Sequence, residues 1–119
     1  MTVATPWKPE RRAPTRTSTM VSPDTITAID RARLLISVKK FDESREVLMD
    51  VLLDKGLSDE ILGRALLQKG NLGMRIGDYK GAMRDFQSAL DLAGISAQLR
   101  GAAKNGLEFA DSFEKLRRR

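Results

Sequence analysis

The sequence predicts an all-α protein, and three observations lead to this fold class. Leu, Ala, Met and Ile supply most of the apolar side chains, whereas aromatic residues make up only 5% of the 119 residues. This composition favours helix-on-helix packing over a β-sandwich. Beyond residue 22, apolar residues recur at steps of three and four, the spacing of an amphipathic helix, and no segment alternates long enough to form a strand.

Residues 1–22 lack this periodicity. The four prolines of the chain lie within the first 23 residues, where they interrupt any amphipathic helix. The stretch is rich in Arg, Ser and Thr and is typical of an extended or disordered segment. We therefore expect a basic, proline-containing tail over residues 1–22 and a helical domain over residues 23–119.

The first predicted helix pair begins at Ser22-Pro23-Asp24, where a capping hydroxyl precedes a proline and an acid of the first turn. Apolar side chains continue this helix to about Lys39. A second helix is expected to begin with Asp42 as its cap and to end at Lys55-Gly56.

The second predicted pair consists of a helix that starts at Ser58 and breaks at Gly77, followed by a helix from about Tyr79 to Ala93. A fifth helix, capped by Ser96, runs into the basic C-terminal residues. Its predicted apolar stripe consists of Leu99, Ala103, Leu107, Ala110 and Phe113.

The two pairs are similar to each other at an offset of 38 residues, which aligns Phe41 with Tyr79 and Leu48 with Phe86. The segment from Gly63 to Gly94 resembles a tetratricopeptide repeat, which has small residues at helix contacts, a Gly-x-Tyr turn and an aromatic residue in its second helix. The residues that carry the resemblance are Leu66, Gly70, Gly77, Tyr79, Ala82, Phe86 and Ala89.

This resemblance implies antiparallel helix pairs stacked as a short right-handed solenoid. The repeats would cover residues 25–58, where Lys39 replaces the turn glycine, and residues 63–96, with a capping helix over 97–117. The first helices of such pairs line a concave groove that binds a peptide or a partner helix. The groove residues implied here are Ile29, Arg33, Ile36, Arg64, Leu67, Gln68, Asn71, Met74 and Arg75.

Apolar side chains ringed by cations suit an acidic or amphipathic peptide, although the three arginines of this set could equally form a solvated face. The net charge of +5 is concentrated at the ends, because residues 1–23 carry +3, the last five residues carry +4, and residues 24–114 carry −2. The tail places Trp7 before a run of arginines, a combination common in interface hot spots. We expect the tail to serve as a docking arm for a partner through Trp7, Arg11, Arg12 and Arg16, and a flexible solubilising tail is the alternative. Arg117, Arg118 and Arg119 form the basic C-terminus.

The sequence contains no Cys and no His, which removes thiolate chemistry and the commonest general acid–base side chain. We therefore expect no catalytic activity, metal or cofactor. The leading prediction is a protein–protein interaction module, an accessory subunit or assembly factor of a larger complex, with homo-oligomerisation a possibility. The alternative is a nucleic-acid- or ribonucleoprotein-associated subunit that binds phosphates through the basic ends.

No stretch approaches the roughly 18 apolar residues of a membrane span, and the N-terminal stretch has no apolar signal region. We expect a cytoplasmic location, and the Arg- and Ser-rich start leaves an organellar location open.

Overall fold

The computed structural model describes residues 23–118, and within this range it contains helices and no strands. In chain order the helices are α1 (Pro23–Ser37), α2 (Phe41–Leu52), α3 (Asp59–Ile76), α4 (Tyr79–Leu90) and α5 (Ala97–Arg117). Each helix packs against its neighbour in sequence, and α3 also packs against α1 and α5. The all-α prediction is confirmed, and α3 is the central helix that contacts all four others.

The turn within each helix pair has the same geometry, 38 residues apart. Lys39 and Gly77 both have positive φ angles, 67° and 84°. The next residue, Lys40 or Asp78, donates its backbone N–H to the carbonyl oxygen five residues earlier at 2.8 Å. This hydrogen bond ends the first helix of the pair, and it explains why α1 stops at Ser37 rather than continuing to Lys39.

The connections between the pairs also match. Ser58 and Ser96 adopt extended backbone conformations with ψ 159°, and each side chain accepts a hydrogen bond from the N–H three residues later. Both serines therefore cap their helices as the sequence predicts. Asp42 does not cap α2, because the helix begins at Phe41, after Lys40, whose side chain makes no capping bond.

Two clusters of buried side chains lie in the core of residues 23–118. One joins α1, α2 and the first half of α3, and it includes Ile29, Leu48 and Ile61. Between α1 and α2, the buried Ser44 hydroxyl donates a hydrogen bond to the carbonyl oxygen of Ala32 at 2.9 Å. Without this bond the buried hydroxyl would destabilise the fold.

The second cluster forms around Phe86 of α4, whose side chain is fully buried. Its ring lies between two glycines. A Cβ atom added at Gly70 of α3 would approach the ring to 2.5 Å, and one added at Gly106 of α5 would approach it to 2.6 Å. The absence of side chains at both positions therefore lets α3 and α5 close on the ring from either side.

Candidate partner-binding groove

A cavity of about 410 Å³ lies between α1, α3 and α5. These are the first helix of each predicted pair and the capping helix. Residues from the first two thirds of these three helices form most of its walls. The lining side chains are Ile26, Ile29, Asp30, Arg33, Glu60, Ile61, Arg64, Leu67, Gln68, Ser96, Gln98, Leu99 and Ala102.

The base of this cavity is apolar. Ile29 and Ile61 are buried and belong to the first core cluster, while Leu67 is half-buried and packs against the second. Leu99 of α5 supplies a buried side chain on the opposite wall. The cavity therefore sits directly over the core, and an apolar side chain that entered it would lie against apolar surface at its base.

Two ion pairs line the rim. Asp30 and Arg33 lie 3.6 Å apart on α1, and Glu60 and Arg64 lie 3.7 Å apart on α3. Glu60 also accepts the backbone N–H of Ser96 at 2.7 Å, so that it ties the start of α3 to the start of α5. Because each rim arginine has an adjacent carboxylate, the rim offers both donors and acceptors instead of a purely cationic surface.

Five of the predicted groove residues come together around this cavity, namely Ile29, Arg33, Arg64, Leu67 and Gln68. Asn71 and Arg75 are exposed and follow Arg64 along α3. They share a face with it, since steps of seven and four residues return to the same side of a helix. The guanidinium of Arg75 lies 5.9 Å from the ring centre of Phe41, a cation–π distance.

Ile36 and Met74 are placed differently from the prediction. Ile36 is only 5% exposed and lies in the interior of the protein instead of on a groove wall. Met74 is half-buried and packs against the Phe86 cluster. The prediction for both residues extends the repeat pattern along the helix, and that pattern does not specify how far each side chain reaches into the neighbouring helix.

The structure adds an apolar stripe on α5 that the sequence reasoning missed. Phe109 and Leu116 are 63% and 59% exposed, and Phe113, predicted to lie on the buried side, is 44% exposed. Phe113 stacks on Tyr79 with ring centres 5.5 Å apart. The signal was present as large apolar residues at positions 109, 113 and 116, but only the packing of α4 shows which side of α5 remains uncovered.

The basic C-terminus is partly occupied by contacts within the fold. Arg117 donates to the buried carboxylate of Glu114 at 3.0 Å and to the carbonyl of Gly77 at 3.2 Å. Arg118 and Lys80 each lie 3.9 Å from the same carboxylate. Arg119 falls outside the described residues, as do the predicted tail residues Trp7, Arg11, Arg12 and Arg16.

Within residues 23–118, no group of three or more Asp or Glu side chains is arranged to hold a metal ion. None of the helices over this range is long and apolar enough to span a bilayer.

Comparison with known proteins gives no relative. No family model matches the sequence, and no curated protein or solved structure shows significant similarity to it.

Proposed function

We propose that this chain is a protein–protein interaction module whose helices form a short right-handed solenoid of the tetratricopeptide type. In this proposal it serves as an accessory subunit or assembly factor, and it binds a peptide or helix of its partner between α1, α3 and α5. The proposal assigns it no catalytic role, in keeping with a sequence that contains neither His nor Cys.

The observation that carries the proposal is the cavity between α1, α3 and α5. It combines an apolar base that includes Ile29 and Leu67 with a rim of paired charges and the amides of Gln68 and Gln98. Such an arrangement accepts an apolar anchor side chain, while the rim hydrogen-bonds the polar groups that surround the anchor.

The apolar stripe on α5 supports a docking surface larger than the cavity alone. Ala102 lines the cavity, and Phe109 and Leu116 follow it at steps of seven residues, which keeps all three on one side of the helix. A partner helix with apolar residues at similar spacing would cover this stripe while it fills the cavity.

The nucleic-acid alternative receives less support from the described residues. Arg117 and Arg118 both lie near the buried Glu114 carboxylate, so part of their charge is already balanced within the fold. Binding to phosphates through the ends would then fall steeply with salt concentration, whereas docking into an apolar cavity would not.

A peptide-library selection on the full chain tests the proposal. We expect the enriched peptides to carry large apolar residues and to bind at least about tenfold more weakly to Ala102→Trp, which fills the cavity from an exposed position. Leu67→Glu should have the same effect, provided that circular dichroism shows it to be folded.

Lys104→Trp is the matched control, because Lys104 is exposed on the same helix and does not line the cavity. Selected peptides that bind all of these variants equally well would rule out the cavity as the docking site. Retention of single-stranded RNA that disappears in high salt, with no peptide enriched, would favour the alternative function.

A further inference from the structure

A second groove, of about 320 Å³, lies on a different part of the surface. It forms because α2 and α4 both pack on α3 but not on each other. Its floor is α3, and it shares no lining residue with the cavity between α1, α3 and α5. The side chains that matter to its chemistry are Arg45, Met49, Lys69, Ile76, Arg84 and Asp85.

The acidic side chains of this groove already have partners within the fold. Lys69 Nζ donates to both carboxylate oxygens of Asp85, at 3.2 Å each. The carboxylate of Asp78 accepts the backbone N–H of Gly81 at 3.0 Å and caps α4. The charge of Arg84 also acts on the Asp85 carboxyl and lowers its pKa, but the hydrogen bonds of this carboxylate go to Lys69.

Arg45 from α2 and Arg84 from α4 are both exposed, and neither has a carboxylate within 4.0 Å in the described part of the chain. They approach the groove from its two walls. Two guanidinium groups that form no salt bridge can bind an added carboxylate, since each can donate two parallel N–H···O hydrogen bonds to it.

The same groove presents apolar surface. Met49 is 47% exposed and Ile76 is 39% exposed, and both side chains line it. Methionine adapts its shape to different apolar partners. The ligand that fits these side chains carries a negative charge next to an apolar group.

We infer that the groove between α2 and α4 binds an acidic segment of a partner protein, with a carboxylate between Arg45 and Arg84 and an apolar side chain on Met49 and Ile76. This surface is separate from the proposed docking cavity, so the chain would hold its partner, or two partners, at two places.

The test uses the full chain and a fluorescein-labelled ten-residue peptide of alternating Glu and Leu, with the Gln–Leu peptide of the same pattern as reference. Anisotropy titrations should show that the Glu peptide binds about tenfold more tightly than the Gln peptide. The double variant Arg45→Gln, Arg84→Gln should lose this preference.

Arg31→Gln is the matched control, because Arg31 is exposed on α1 and likewise has no carboxylate within 4.0 Å among the described residues. This variant should keep the preference for the Glu peptide. The inference is wrong if the double variant binds the Glu peptide as the wild type does, or if the wild type does not distinguish the two peptides. Loss of the preference in Ala102→Trp would place the peptide in the other cavity, which overturns the inference and leaves the proposed function standing.

Discussion

The contact between Gly70 and the Phe86 ring can be tested by adding a single methyl group. Alanine is the better helix former by about 1 kcal/mol, so on propensity alone Gly70→Ala would stabilise α3. The added Cβ would, however, meet three ring atoms at 2.5–2.8 Å. The ring cannot move away from the added methyl group, because Gly106 of α5 lies against its opposite side. Overpacking of this kind costs about 1–3 kcal/mol.

The control for this variant is Gly101→Ala, at an exposed position of α5 where a Cβ would meet no atom within 4 Å. Both variants gain the same helix propensity, so the difference between their free energies of unfolding isolates the steric term. Urea unfolding should give Gly101→Ala the greater stability by about 1–3 kcal/mol. Equal stabilisation of the two variants would show that α3 and α4 can separate at no cost and would refute the close-packing argument.

Two further predictions concern charge and turn geometry. Burial raises the pKa of the Asp85 carboxyl more than the ion pair with Lys69 lowers it, so the folded state binds this proton more readily than the unfolded state. The free energy of unfolding of the wild type relative to Asp85→Asn should therefore rise as the pH falls from 7 towards the usual pKa range of an aspartate. Urea unfolding of both proteins at pH 7 and pH 4 measures this difference. A fall in relative stability at the lower pH would mean that the ion pair with Lys69 outweighs burial. At the equivalent turn positions, Gly77→Ala should lose about 1 kcal/mol and Lys39→Gly should gain a similar amount, because both sites have positive φ angles. Thermal unfolding compares these two variants, and changes of the same sign would contradict the role assigned to the turns.

Much of the helical framework could be predicted from the sequence because its signals are local. The capping serines at 58 and 96 and the breaking glycine at 77 fix helix ends through hydrogen bonds and dihedral angles that involve only a few neighbouring residues. The end of α1 was harder to predict. Lys39 adopts a left-handed conformation that glycine usually adopts at a helix end. A lysine at this position therefore does not indicate that the helix ends there.

The candidate site was less predictable, because it depends on which face of each helix its neighbours cover. Arg33, Arg64 and Leu67 line one cavity, whereas Ile36, which the pattern assigns to a groove wall, is buried. A charged residue was also misleading. Glu114 is buried, which a helical pattern does not anticipate, since its burial requires cations from two helices around one carboxylate.

The central position of α3 determines the order in which parts of the protein can unfold. It contributes Ile61 and Ala65 to the first core cluster and packs Leu67 and Met74 against the second, so it cannot unfold without disrupting both. Among the described helices, the first pair contacts only α3, so it can open while α3, α4 and α5 stay packed around Phe86. Amide hydrogens of α1 and α2 should therefore exchange with solvent through partial opening, whereas those in the middle of α3 exchange only when the whole domain unfolds.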